Sequence, residues 1–166
     1  MKAEKIYLVG FMGAGKTTVA RALAKRLGWE AVDVDEVIER RERLPVSDIF
    51  AVRGEAYFRA AERAVLFEQI GRAHVVVATG GGTFADAQNR AAMNNDGVSV
   101  WLDVPLERLI ERVPADGRRP LASDRFGFER LYHLRRTAYM QAHVRLDAGR
   151  ASVDALVEQL VDWLNA

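Results

Sequence analysis

The segment Gly10–Thr17 contains the residues whose chemistry is easiest to assign. It reads GFMGAGKT and matches the pattern G-x-x-x-x-G-K-[ST] in full. Glycines in such a loop let backbone N–H groups turn toward an anion, and the positive end of the following helix points at the same place. Lys16 adds a charge for the β- and γ-phosphates, and the Thr17 hydroxyl is a ligand for Mg²⁺. The segment predicts a site for the phosphates of a nucleoside triphosphate.

Two aspartates, Asp33 and Asp35, lie at the end of a short strand that the sequence predicts over Ala31–Val34. Residues two apart on a strand project from the same face, so both carboxylates are expected near the phosphate loop. One carboxylate could hold Mg²⁺ through water, and the other could bind a substrate hydroxyl or accept its proton. The competing interpretation is that they only cap the helical stretch Glu36–Glu39. The neighbouring phosphate loop favours the functional interpretation.

A glycine triplet, Gly80–Gly82, follows the β-branched run Val75–Ala78, which predicts a central strand. Three consecutive glycines carry a large entropy penalty on folding, so they suit a place where backbone closely approaches a ligand. Ligands of parallel sheets lie beyond the carboxyl ends of the strands, which is where this triplet falls. The alternative is a flexible turn before a helix over Ala85–Met93.

Arginines occur at three further places. Arg59 and Glu62 lie three apart on a helix predicted from about Ala56 to Ile70, and the default interpretation is a surface ion pair. Arg118 and Arg119 lie in the irregular segment 113–127, where an arginine could close over the γ-phosphate as part of a lid. The alternative there is a solvated basic loop. Later arginines, at 135 and 136, read as surface charge by default.

The elements that must position these residues alternate between strand and helix. Short apolar runs predict strands at Ile6–Val9, Ala31–Val34, Val75–Ala78, Val98–Leu102 and Val144–Leu146, and amphipathic stretches lie between them. This alternation predicts an α/β fold with a parallel sheet and helices on both faces. A single domain over 1–166 is expected, with the segment 113–127 as its lid.

The composition excludes several kinds of protein. The 166 residues carry a formal net charge of +1, so no strong field favours nucleic acid or a membrane surface. There is no cysteine, which rules out disulfides, thiolate zinc sites and a cysteine nucleophile. No targeting segment and no stretch long enough for a membrane helix is found, so a cytoplasmic protein is expected.

Taken in order, these motifs resemble the shikimate kinase family over nearly the whole chain, from Ile6 to about Leu164. The combination is more specific than the phosphate loop alone, because the loop is shared by many NTPases. The family commonly has Arg-x-Pro-Leu-Tyr where this chain has Arg135-Arg136-Thr137-Ala138-Tyr139, which leaves the choice between Arg135 and Arg136 open; spacing from the tyrosine favours Arg135. Also carrying the resemblance are Asp33-Val-Asp35, Phe58-Arg59-x-x-Glu62, Ala78-Thr-Gly-Gly-Gly82 and Arg119-Pro-Leu121.

The resemblance implies a P-loop NTPase-type three-layer sandwich with a central five-stranded parallel sheet and a short lid. It implies ATP-dependent phosphorylation of the shikimate 3-hydroxyl, with Mg²⁺, in the chorismate route to aromatic amino acids, by a protein that we expect to be a monomer. The implied catalytic residues are Lys16, Asp35 and Arg119, and the implied metal ligands are Thr17 and Asp33. ATP is expected to contact Gly13, Ala14, Gly15, Lys16, Thr17, Thr18, Arg112 and Arg119. Shikimate is expected to contact Asp35, Arg59, Gly80, Gly81, Gly82 and Arg135, and a further adenine contact near Arg150 is left open.

Other functions compete with this one. Another small-metabolite P-loop kinase, such as a gluconate kinase, would have a similar loop. A nucleoside monophosphate kinase usually has more chain for recognising a base. A nucleotide-sensing domain without turnover belongs to a different class, but the candidate catalytic residues of this chain are intact.

Overall fold

The computed structural model of the protein describes residues 1–112 and 125–166. Five strands occur there: β1 Lys5–Val9, β2 Glu30–Asp33, β3 Val75–Ala78, β4 Val98–Asp103 and β5 Val144–Asp147. The helices of the same residues are α1 Lys16–Leu27, α2 Val34–Glu42, α3 Val46–Arg53, α4 Glu55–Glu68, α5 Ala87–Asp96, α6 Leu106–Arg112, α7 Arg125–Tyr139 and α8 Val153–Asn165. A 3₁₀ turn covers Thr83–Ala85.

The strands form one parallel sheet in the order β2-β3-β1-β4-β5, as the alternation of strands and helices predicted. All residues of β1 and β3 are buried, which is typical of central parallel strands covered on both faces. Helices α1 and α8 pack together against the sheet. The right-handed crossovers that are the rule for parallel strands are expected to put the helices that follow β2 and β3 on the opposite face. The carboxyl ends of β1, β2 and β3 therefore meet at one edge.

Helix boundaries follow from local chemistry at their ends. Gly15 and Gly28 flank α1 with positive φ values of 94° and 70°, a conformation that glycine adopts without steric penalty. Side chains of Asp33, Asp86 and Ser152 each accept a hydrogen bond from a backbone N–H in the first turn of α2, α5 and α8. These acceptors satisfy donors that a helix leaves unpaired at its start.

Four sequence-based expectations differ from the structure. The strand expected over 31–34 ends at Asp33, because the Asp33 side chain starts α2; Asp35 therefore lies in a helical turn and not on a strand. Helix α3 was not predicted, and the helix expected over 85–93 is a 3₁₀ turn followed by α5. Of the expected lid 113–127, residues 125–127 belong to α7, and 113–124 lie outside the described residues.

A buried polar cluster lies at the amino-terminal edge of the sheet, away from the phosphate loop. The ammonium group of Lys5 pairs with Asp96 at 2.5 Å, and the Tyr7 hydroxyl donates to the same carboxylate oxygen at 2.6 Å. Burial first, and then the hydrogen bond to Asp96 and the charge of that carboxylate, raise the pKa of Tyr7, so its phenol stays protonated as a donor. The cluster ties β1 to the end of α5.

Among the described residues, no helix combines the length and the hydropathy that crossing a membrane requires.

Candidate active site

The phosphate loop connects β1 to α1 and is shaped by its glycines. Gly13 and Gly15 have φ values of 85° and 94°, which side chains rarely adopt. Gly10 lies so close to β4 that a Cβ atom there would be 2.9 Å from the carbonyl oxygen of Leu102. The loop thus needs glycine for two different reasons, backbone conformation and close packing. Its N–H groups precede α1, whose positive end favours an anion at the same place.

Lys16 is the first residue of α1 and is 8% exposed. Its ammonium group donates to the carbonyl oxygens of Gly10 at 2.5 Å and Phe11 at 2.9 Å. These contacts hold the Lys16 ammonium group next to the loop in which the phosphates are expected to bind.

Thr17 and Asp33 meet although they come from different elements. The Thr17 hydroxyl donates to Oδ2 of Asp33, and Oδ1 of Asp33 accepts the N–H of Glu36 at 3.0 Å. The capping interpretation of Asp33 and its proximity to the phosphate loop are therefore both correct. A hydroxyl and a carboxylate in contact form a plausible pair of ligands for a hard cation.

The glycine triplet makes room for side chains from three other elements. A Cβ atom on Gly80 would lie 2.9 Å from Oε2 of Glu62 and 3.0 Å from Oδ1 of Asp35. On Gly81 it would lie 3.1 Å from Nη1 of Arg135. The triplet was predicted because backbone there should approach a ligand, and the structure shows that side chains of the site already need this space.

Arg59 and Glu62 do not form the surface pair of the default interpretation. Glu62 is 1% exposed, and both of its oxygens accept from Nη1 of Arg59, at 3.1 and 3.2 Å. The Thr83 hydroxyl donates to Oε2 of the same carboxylate at 2.9 Å. Burial lowers the pKa of Arg59, but the charge and hydrogen bonds of Glu62, together with Glu55, outweigh it and raise the pKa overall. Arg59 therefore stays charged and is held in one orientation.

Arg135 and Arg136 point to different places. Arg135 is 7% exposed and lines the same cavity as Arg59, whereas the guanidinium of Arg136 lies 5.5 Å from the ring centre of Trp101. Burial lowers the pKa of Arg135, and the positive charge of Arg59 lowers it further, although Tyr139 opposes this. Two cations facing one space favour an anion between them.

One cavity of about 600 Å³ unites these groups. Its wall includes all the described residues that the resemblance assigned to catalysis, ATP, shikimate or the metal: Gly13, Ala14, Gly15, Lys16, Thr17, Thr18, Asp33, Asp35, Arg59, Gly80, Gly81, Gly82, Arg112 and Arg135. Arg150, near which a further adenine contact was left open, does not line this cavity. Nη1 of Arg112 also donates to the carbonyl oxygen of Gly13 at 3.3 Å. The predicted lid arginine, Arg119, lies outside the described residues.

Sequence reasoning assigned no site role to several residues of the cavity wall, among them Glu62 and two phenylalanines. Glu62 was taken for a surface partner, and the aromatic pair Phe50 and Phe58, with ring centres 4.9 Å apart, was not assigned to the site. The Arg59 guanidinium lies 5.4 Å from the Phe58 ring centre, within reach of a cation–π contact. The adjacency of Phe58 and Arg59 could have suggested that role, but Phe50 lies on the unpredicted helix α3.

A parallel sheet, a phosphate loop between β1 and α1, and an anion-binding space beside it define a P-loop phosphotransferase. The family model described as shikimate kinase matches residues 12–165. The chain belongs to the shikimate kinase family, as its motifs suggested, and is a phosphotransferase of that type. The predicted fold class is confirmed as well, because solved structures of the family share it.

Relatives match along nearly their whole length. A shikimate kinase of Persephonella marina is 41% identical over 159 residues, which are 95% of this chain and 97% of the relative. The solved structure of a shikimate kinase from Acinetobacter baumannii in complex with shikimate superimposes with a TM-score of 0.91 at 37% identity, covering 98% of this chain and 93% of that one. A deoxyadenosine kinase from M. mycoides shares the fold alone, with a TM-score of 0.67 at 18% identity over 98% of this chain and 100% of that chain.

Proposed function

We propose that the cavity transfers the γ-phosphoryl group of ATP to the 3-hydroxyl of shikimate, with the donor and acceptor bound on opposite sides. The observation that supports this most directly is the proximity, within one cavity, of a phosphate loop and two guanidinium groups from α4 and α7. The loop suits a triphosphate, and the guanidinium pair suits a small carboxylate.

On the donor side, we assign the phosphates to the N–H groups of Gly13–Thr18 and to Lys16. Arg112 borders the same part of the cavity and is assigned to the adenine base. Arg119 is proposed as the lid arginine at the γ-phosphate on the strength of the family resemblance alone. Phosphoryl transfer depends mainly on such positioning and charge neutralisation.

On the acceptor side, Arg59 and Arg135 are proposed to bind the carboxylate of shikimate. Arginine suits this task because its planar fork of N–H donors matches a carboxylate. Asp35 lies beside Gly80 in the cavity wall and is assigned to the reacting hydroxyl. As the hydroxyl oxygen bonds to the γ-phosphorus and the bond to the β–γ bridging oxygen breaks, the proton passes to the Asp35 carboxylate and ADP leaves.

Thr17 and Asp33 are proposed as the protein's contribution to a Mg²⁺ site. Among residues 1–112 and 125–166, no cluster of three His, Cys, Asp or Glu side chains could hold a metal by itself. This agrees with Mg²⁺, which proteins usually bind through one or two carboxylates together with substrate phosphates. When bound, the ion neutralises phosphate charge.

Acceptor-dependent ATP consumption by the purified protein tests the proposal. We expect turnover that requires shikimate and Mg²⁺, with shikimate 3-phosphate as product. Turnover with gluconate in place of shikimate, or nucleotide binding without turnover on either acceptor, would contradict the proposal. We also propose that the protein is monomeric and cytoplasmic. Sedimentation velocity would test the monomeric state.

A further inference from the structure

One face of α7 carries four large side chains: Phe128, Tyr132, Arg135 and Tyr139. Their spacings of four, three and four residues place them in a stripe along the helix. The stripe begins against the phosphate loop and ends against the glycine triplet, so a single helix face joins the two sides of the cavity.

The contact with the phosphate loop is made by Phe11. Its ring lies edge-to-face with Phe128, at 5.0 Å between centroids and 89°, and with Tyr132, at 5.5 Å and 78°. Cζ of Arg135 lies 5.8 Å from the centre of the same ring. Phe11 is 2% exposed, and its carbonyl oxygen accepts a hydrogen bond from Lys16. The same residue therefore touches the donor-side lysine through its backbone and the acceptor-side arginine through its ring.

The contact with the glycine triplet is made by Tyr139. Its hydroxyl donates to the carbonyl oxygen of Gly81 at 2.5 Å, and the side chain is 2% exposed. Burial raises the pKa of the Tyr139 phenol despite the nearby positive charge of Arg135, so the hydroxyl stays a donor at ordinary pH. Arg135 lies one turn before Tyr139 and packs over the same glycine. The Gly80–Gly82 turn on one side of the cavity is thus hydrogen-bonded to α7, the helix that carries Arg135.

We infer that Phe11 and Tyr139 are positioning residues for the acceptor, which hold Arg135 over the cavity from opposite ends of the α7 stripe. The inference rests on the proposed role of Arg135 in binding the shikimate carboxylate. It has an unusual consequence for Phe11: a residue within the phosphate loop contributes more to acceptor affinity than to nucleotide affinity.

Two conservative variants test the two ends separately. Phe11→Leu keeps an apolar side chain and removes the aromatic edge contacts, and Tyr139→Phe removes only the hydroxyl. For each, the Kd of shikimate is measured by isothermal titration calorimetry with and without ADP, and KM is measured for both substrates. We expect the Kd and KM for shikimate to rise by roughly three- to tenfold, with KM for ATP and kcat within about twofold of the unmodified enzyme.

Matched controls remove the same groups elsewhere. Tyr57→Phe deletes a tyrosine hydroxyl that donates to Glu42 at 2.6 Å outside the cavity, and Phe67→Leu changes a phenylalanine that is 46% exposed. Both controls should leave the Kd and KM for shikimate, the KM for ATP and kcat unchanged. A general loss of rigidity would instead raise KM for ATP and shikimate together.

The Arg135→Ala background separates positioning from a merely structural role. If Phe11 and Tyr139 act through Arg135, neither variant should weaken shikimate binding further once that guanidinium is gone. Equal losses with and without Arg135, an unchanged Kd for shikimate in both variants, or a larger effect on ATP than on shikimate would overturn the inference. Absence of shikimate binding by the unmodified protein would instead overturn the proposed function, which keeps the two failures distinct.

Discussion

Gly82→Ala changes the site by a single methyl group and should disable acceptor binding without unfolding the protein. A Cβ atom on Gly82 would lie 2.6 Å from Nη1, 2.7 Å from Nη2 and 2.8 Å from Cζ of Arg59. These distances are too short for any real contact, so the guanidinium must move. Because it is the far end of a flexible side chain, it can move without disturbing the backbone.

The size of the effect follows from the hydrogen bonds that are lost when the Arg59 guanidinium moves. Arg59 is held by Glu62 at 3.1 and 3.2 Å, and a shifted guanidinium would meet neither Glu62 nor a bound carboxylate in the same geometry. Hydrogen bonds to charged groups contribute about 1.5–3 kcal/mol each. Loss of one such bond to the acceptor corresponds to a decrease in kcat/KM for shikimate of roughly 10- to 150-fold. Gly82 has φ −99° and ψ −7°, which alanine tolerates, so the backbone change itself should raise stability by up to about 1 kcal/mol. The weakened pairing of the buried Glu62 carboxylate with Arg59 acts in the opposite direction.

Steady-state kinetics and thermal unfolding check this prediction, with Arg59→Ala as the second background. Gly82→Ala should lower kcat/KM for shikimate strongly in the presence of Arg59 and hardly at all in its absence. The reasoning is refuted if the alanine lowers kcat/KM for shikimate equally in both backgrounds, or if it lowers the melting temperature equally in both, because Arg59 would then not be the group displaced.

Three further changes test other parts of the molecule. Lys16→Ala should lower kcat by at least about 10²-fold, because phosphate charge would go uncompensated during transfer; near-normal kcat in a steady-state assay would argue against its role. Arg59→Ala should raise KM for shikimate while KM for ATP stays within a few-fold, and equal rises in both would indicate a structural role instead. Asp96→Asn should lower the free energy of unfolding by about 1–3 kcal/mol near pH 7, because the buried Lys5 ammonium group loses its charged partner. Burial alone would raise the pKa of Asp96, but hydrogen bonds from Lys5 and Tyr7 outweigh burial and lower this pKa. The stabilisation that Asp96 contributes is therefore present above about pH 4 and is lost as the pH falls through the lowered folded-state pKa. Urea unfolding between pH 7 and 3 should therefore show a shallower acid decline in Asp96→Asn, and identical slopes would exclude this contribution.

Strands and the phosphate loop could be predicted because their signals are local. The strand Val75–Ala78 is β-branched and apolar between polar or glycine-rich flanks, and its bounds in the structure are the predicted ones. Lys16 and Thr17 follow from a motif whose spacing fixes their place at the start of α1.

Sequence-based prediction failed where two local signals competed, or where the burial of a residue depended on residues far away in the sequence. Asp33-Val-Asp35 fits both a strand end and a helix start, and the cap bond to Glu36 favoured the helix. Helix α3 was missed because it is short and its apolar residues lie on several of its faces, so no single apolar stripe marks it in the sequence. The burial of Glu62 depends on Thr83 and Gly80, which lie across a connection that the sequence of α4 does not reveal.

The two oxygens of Asp33 have separate tasks, and this affects how any substitution there must be understood. One oxygen begins a helix and the other touches the hydroxyl at the start of a different helix. An alanine at this position would remove both contacts at once, so a fall in activity would combine a loosened α2 with the loss of a proposed metal ligand. Asparagine separates them, because its amide oxygen can still cap α2 while the negative charge beside Thr17 disappears. If Asp33 holds Mg²⁺ as proposed, both cation affinity and the position of the segment that carries Asp35 depend on one side chain. Natural variation at residue 33 should then be far narrower than its partly exposed position suggests.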